Sequence, residues 1–175
     1  MIQFAFTFAA VAMCAAGPVF AQPKKQPLSP PAETSVTIGG KALSIKYSAP
    51  SMRGRKIFGE LEAYGRAWRA GANAATAFHT DADLDMNGLA IPKGDYTLFV
   101  WLDQNQWQLI INKQTGQWGT NYDAGMDLGR VKMTMSKPSA PIETFKITLS
   151  GAGGSAGKLQ LEWENTIASV PFKVK

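Results

Sequence analysis

Cysteine is almost missing from this chain: its 175 residues include one, Cys14, and that one sits in an apolar leader. Once the leader is removed, no disulfide and no thiol nucleophile remains. Histidine is as scarce, with His79 alone, so a transition metal would have to rely on one imidazole and carboxylates, a weak ligand set. A Ser-His-Asp triad would have to run through His79, which lies in an alternating run, and no GxSxG elbow accompanies it. No glycine loop precedes a helix to cradle phosphate; GAGGSAG at residues 151–157 joins two strands. Beyond the leader no apolar run approaches the roughly 20 residues of a membrane span. There is no basic arm either. The formal charge of +5 is spread along the chain apart from one stretch, which points away from nucleic acid and towards ordinary adsorption on anionic envelope polymers. No cofactor is expected.

What is present is a folded domain behind an export signal. A hydrophobic fraction of 45% against 18% charged residues is globular, and at this length about two thirds of the unfolded surface would be buried. Residues 1–21 carry no charged side chain and end in Val19-Phe20-Ala21, so cleavage before Gln22 and secretion to the periplasm are the expectation. Acylation at Cys14 is disfavoured by bulky Met13, and an uncleaved anchor by Gly17-Pro18. Proline-rich residues 22–33 read as a disordered tether, with the domain spanning 34–175.

Within that domain the period is two almost throughout. Residues 34–38 and 41–47 flank Gly39-Gly40, a hairpin signal, with Val36, Ile38, Leu43, Ile45 and Tyr47 inward. Residues 76–80, 81–86, 96–102, 107–112, 130–135, 144–149, 158–164 and 167–174 read as further strands. Those at 96–102 and 107–112 are apolar on both faces, which predicts a sheet centre covered on both sides. Pro171 predicts an edge for the last strand. The fold class is therefore all-β: an antiparallel β-sandwich, jelly-roll-like, with long loops and at most a short helical turn, expected near residues 58–62. Asp81, Asp83 and Asp85 imitate a calcium loop but lack its Gly and Glu positions, so a solvated strand edge is the better reading.

The exception to the alternation is residues 53–76. Arg53, Arg55, Lys56, Arg66 and Arg69 face only Glu60 and Glu62 there, with Phe58, Tyr64 and Trp68 among them. The segments Gly54-Arg55-Lys56-Ile57-Phe58-Gly59, Tyr64-Gly65 and Trp68-Arg69-Ala70-Gly71-Ala72-Asn73-Ala74-Ala75-Thr76 resemble the most distinctive stretch of a bacterial secreted family, domain of unknown function 2911. Pro92-Lys93-Gly94-Asp95-Tyr96, Ile111-Asn112-Lys113, Trp118-Gly119 and Leu161-Glu162-Trp163-Glu164 extend the resemblance over residues 35–171. The chain departs from the family's pattern at Ala74, where an acidic residue is usual, and at Ala49, where an Arg is frequent. The resemblance implies a fold and a compartment, and no activity.

The candidate site is a loop platform of Arg55, Lys56, Tyr64, Trp68, Arg69, Asn73 and Thr76, joined by Asn112, Trp118 and Tyr122 if the loop at 113–127 lies at the same end of the sandwich. Aromatic faces would stack on a sugar or apolar body while Arg and Asn fix polar or anionic groups. The competing structural reading pins Arg69 between Trp68 and Tyr64 and pairs it with Glu60 or Glu62. The expected function is a non-catalytic binding module for a carbohydrate or small anionic ligand at the cell envelope. The alternatives are a hydrolase of envelope polymers, using carboxylates among Glu60, Glu62, Asp123 and Asp127, and a scaffolding envelope protein.

Overall fold

The computed structural model describes residues 27–175; the expected leader and cleavage site, Cys14 and residues 22–26 of the expected tether lie outside the described residues. Strands β1 (Pro31–Ile38) and β2 (Lys41–Ser48) pair from Ile38↔Lys41 outward. The joint takes positive φ at both glycines, +58° at Gly39 and +75° at Gly40, as a two-residue turn matched to strand twist requires. Residues 31–33, assigned above to the tether, instead open β1 opposite Ser48, Tyr47 and Lys46. Pro31 is tolerated because it is the first residue of a strand.

Two antiparallel sheets stack. The first runs β1-β2-β4-β7-β8-β9, with β4 at Thr76–Thr80, β7 at Gly94–Trp101, β8 at Gln108–Asn112 and β9 at Asp127–Lys132. The two-residue β3 (Ala67–Trp68) continues beside β7 beyond the end of β4. The second sheet runs β11 (Ile142–Gly151), β12 (Ala156–Glu164), β13 (Thr166–Val174), β5 (Leu84–Met86), β6 (Leu89–Ile91), with β10 (Thr134–Ser136) also on β13. Inward residues alternate as the period of two dictates. Leu43, Ile45, Phe78, Leu98, Val100, Leu109 and Ile111 meet Phe145, Ile147, Leu149, Leu159, Leu161, Trp163, Val170 and Phe172 across the core.

Four expectations change. Residues 130–135 are not one strand: the chain passes from the first sheet to the second at Met133, whose N–H donates to the Trp107 carbonyl at 3.0 Å. The alternation survives because Val131 and Met133 still point into the core. Strand β13 is interior, not an edge: β10 covers Ile167 to Ser169 and β5 covers Lys173 and Val174. Pro171 falls in the gap between them, so its missing N–H deprives no partner. The turn near 58–62 is not helical; Glu62 N–H donates to Ile57 O and Gly59 N–H to Glu62 O, both at 2.9 Å, closing a compact loop. Among the described residues the one helical element is the 3-10 turn Ala124–Met126. Asp81 and Asp83 precede β5 instead of sharing its face. Asp83 accepts the Lys93 N–H and Asp85 the Gly88 N–H, each at 2.8 Å, so the carboxylates diverge.

The twofold apolar character of β7 and β8 has its cause on the outer face. Phe99 and Ile110 are buried there with Ala75, against Ala67, Trp101 and Tyr122. The cover is the loop at 113–127, which folds back over the sheet.

Candidate functional site

The stretch at 53–76 is anchored before it can present anything. Glu164 ends β12 with a left-handed φ of +52° and turns its carboxylate onto the N–H groups of Ile57 and Phe58, each at 3.2 Å. These are buried donors with no strand partner, so the carboxylate satisfies a backbone that would otherwise be costly to bury. Trp68 follows. Its indole stacks on Trp163 at 5.7 Å and 20°, and Phe145, Phe58 and Trp107 meet it edgewise at 5.0, 5.8 and 6.4 Å. At 2% exposure it belongs to the core and not to a ligand platform: both ring faces serve packing.

Beyond Trp68 the chain leaves β3 and must return to β4 within seven residues. Ala70 and Asn73 take φ of +49° and +62°, and Thr76, fully buried, donates its hydroxyl to the Ala70 carbonyl at 2.7 Å. Gly71 presses so close that a Cβ there would sit 2.9 Å from the Ser48 carbonyl oxygen. Thr76 is thus a clasp for the loop and has no exposed surface for a ligand.

The two long loops do share an end, and they are sewn together. Gly119 N–H donates to Asn73 O at 3.0 Å and Ala75 N–H to Gln117 O at 3.1 Å, making a short bridge between Ala74 and Trp118. The Arg69 side chain lies flat across Gly119; a Cβ on that glycine would fall 1.9 Å from Arg69 Cδ. Asn73 stays exposed, with its amide 3.3 Å from Ser48 Oγ. Trp118 projects from the bridge with 55% of its surface open.

Asn112 and Tyr122 are placed otherwise. The Asn112 amide donates to Asp123 O at 2.8 Å and Asp127 Oδ1 at 2.9 Å, and its oxygen accepts the Gln114 N–H. Tyr122 donates to Asp127 Oδ2 at 2.6 Å, Arg130 binds both, and the Tyr122 ring packs on Phe99 at 4.9 Å. Burial and the Asp127 hydrogen bond push the Tyr122 phenol up to about 12. Both residues are fasteners of the 113–127 loop to the sheet, and the carboxylates Asp123 and Asp127 belong to the same fastening.

What remains is a cleft of about 210 Å³ lined by Arg55, Glu62, Arg69, Trp163, Pro50, Gly71, Ala72, Leu61 and Ser29. Of the expected ligand residues it gathers Arg55 and Arg69. Lys56 pairs with Glu60 at 3.4 Å on the surface, and Tyr64 covers Gly59; neither lines the cleft. Arg55 turns its Nε and Nη2 onto the Met52 and Ser51 carbonyls, each at 2.9 Å. Glu62 meets Arg66 at 3.3 Å through Oε2. Burial pushes the Glu62 carboxyl above its ordinary range, with Arg69 and then Arg66 pulling it back. Arg69 itself forms no ion pair among the described residues, and its Nε is buried without a hydrogen-bond partner, as are Trp68 Nε1 and Gln117 Oε1. The pairing of Arg69 with Glu60 or Glu62 expected of a plain clamp is therefore not made at contact distance. Residue reasoning missed Glu164, Trp163 and Pro50. The Leu161-Glu162-Trp163-Glu164 motif was the available signal, but alternation alone marks it as an ordinary strand.

A second cluster crosses the outer face of the first sheet. Ser44, His79 and Asp95 are neighbours in register on β2, β4 and β7. His79 Nδ1 lies 2.7 Å from Asp95 Oδ1 and Nε2 lies 3.0 Å from Asp81 Oδ1. With both nitrogens held by carboxylates, the ring has no free lone pair to take a proton from Ser44, so the triad arrangement is not assembled. The hydrogen bonds to Asp95 and then Asp81 raise the imidazole above its ordinary value, and the bond from His79 lowers Asp81. The imidazolium therefore stabilises the fold fully below pH about 6.5, and that contribution is lost as pH rises through the raised folded value. Melting temperature should decline as pH rises from about 6.5 through that raised value in the wild type. In His79→Gln the decline should flatten, and an unchanged slope in calorimetry would discard the bridge as its cause.

No curated protein and no solved structure matches the chain. A family model described as a protein of unknown function, DUF2911, matches residues 29–172, a span that takes in both sheets, both long loops and the cleft, and the chain belongs to that family.

Proposed function

We propose that this protein is a non-catalytic binding module of the cell envelope that takes a small anion, a carboxylate or phosphate group, in the cleft at Arg69. One observation carries this reading: Arg69, partly buried, lines the cleft with no carboxylate in ion-pair contact among the described residues, and its Nε is without an acceptor. A partly buried cation without a paired carboxylate leaves its fork free for an anion, and Glu62, the carboxylate that shares the cleft, gives its direct contact to Arg66. A planar oxyanion is the complement of a guanidinium fork. Glycoside hydrolysis by acid–base chemistry uses two carboxylates; Glu62 alone lines this cleft, which favours binding over catalysis. Export rests on the uncharged leader at residues 1–21 and its small-residue end.

The test is thermal shift and titration with acetate and inorganic phosphate. Wild type should be stabilised as ligand concentration passes its Kd. Arg69→Ala, folded by circular dichroism, should lose the shift, and Arg69→Lys should recover only part of it. Equal shifts in wild type and Arg69→Ala, or none in wild type, would end the proposal. A carbohydrate reading has its own support in Trp118, whose open ring projects from a backbone bridged to Ala74, next to Asn73 in the chain. Quenching of its fluorescence by oligosaccharides, lost in Trp118→Ala, is the check on that reading.

A further inference from the structure

The cleft holds more than a site for an anion. Its walls divide into three chemistries: a guanidinium at Arg69, a carboxylate at Glu62, and an apolar surface of Pro50, Leu61, Ala72 and Trp163. A simple anion would use the first and oppose the second. Glu62 Oε2 receives Arg66, while Oε1 has no protein donor among the described residues, although the side chain keeps only 14% of its surface. Arg55 does not fill that need, since its donors are turned onto the Met52 and Ser51 carbonyls. Lys56 is paired with Glu60 outside the cleft. A largely buried carboxylate whose Oε1 is open and takes no protein donor stands next to a partly buried guanidinium with no paired carboxylate.

Resting on the reading of Arg69 as an anion site, we infer that the ligand is a small zwitterion, an apolar α-amino acid, with its carboxylate on Arg69, its ammonium on Glu62 and its side chain against Pro50, Leu61 and Trp163. The ammonium carries three donors and suits the open Oε1; the carboxylate takes the fork. Burial already raises the Glu62 carboxyl, which an arriving cation would reverse. The volume agrees. At ~30 Å³ for each liquid water, about 210 Å³ is roughly seven waters, the scale of a free valine or leucine.

Three probes with one carbon skeleton test this by calorimetric titration of the whole chain: leucine, 4-methylpentanoate, which lacks the amine, and 3-methylbutylamine, which lacks the carboxylate. Leucine should bind at least about tenfold more tightly than 4-methylpentanoate, and the amine weakest of all. In Glu62→Gln the advantage of leucine should fall to within about twofold while 4-methylpentanoate binds as well as before or better. If that variant fails to fold, the wild-type ranking decides alone. Equal affinity for leucine and 4-methylpentanoate overturns the zwitterion and leaves the anion site standing. Silence from all three probes together with acetate and phosphate overturns both.

Discussion

Trp68→Ala is expected to destabilise the protein by about 3–5 kcal/mol, the range for removing a large aromatic from a core. The ring is at the junction of five elements of packing. It lies on Trp163, takes the edges of Phe58, Phe145 and Trp107, and holds β3 against β7 through Trp68↔Val100. These neighbours are themselves rigid rings in mutual contact, such as Phe58 and Trp107 at 4.5 Å, so they cannot collapse into the space left behind. Trp68→Phe should lose less, because the indole N–H makes no hydrogen bond and only part of the volume disappears. Trp118→Ala supplies the contrast: with its ring largely open, it should stay within about 1 kcal/mol of wild type. Urea unfolding of the three variants reads this directly. Comparable losses at Trp68 and Trp118 would mean that the aromatic cluster does not organise the core as described.

Gly119→Ala should cost about 3 kcal/mol, at the upper end of overpacking effects, and should also abolish anion binding. The cause is contact and not conformation, since Gly119 is outside the left-handed region. A Cβ there would meet Arg69 Cδ at 1.9 Å and the Asn73 carbonyl oxygen at 2.6 Å. The arginine must be expelled or the Gly119–Asn73 hydrogen bond broken. A double-mutant cycle separates the two: in an Arg69→Ala background the penalty of Gly119→Ala should shrink, because the nearest clash is gone, leaving the Asn73 contact. Gly151→Ala, with nothing within 4 Å of its Cβ, is the neutral control. An unchanged Gly119→Ala penalty in the double variant would show that Arg69 does not lie where the cleft requires.

Strands and hairpins were legible because each depends on neighbours in sequence. Gly39-Gly40 dictates its turn through φ at those two residues, and Leu43 and Ile45 or Leu159 and Leu161 select a face by alternation. The same locality explains the misreadings. Residues 130–135 keep their alternation while changing sheets, and nothing local distinguishes a strand that stays from one that crosses. Pro171 reads as an edge because the pattern cannot reveal that β10 and β5 share the far side of β13 and leave a gap there.

The candidate site divides along the same line. Composition and spacing alone determined an all-β domain and an unusual cationic, aromatic insertion at residues 53–76. Which of those aromatics face solvent was decided by tertiary packing. Trp68 and Trp118 look alike in sequence, yet one is enclosed by Trp163 and Phe145 while the other stands on a bridge to Ala74. Arg69 and Glu62 became walls of one cleft only because Glu164, about a hundred residues away in the chain, holds the Ile57 and Phe58 amides, and because Gly119 has no side chain to keep the arginine out. Burial and charge pairing are properties of the assembled layers, and sequence periodicity carries no record of what the opposite layer brings.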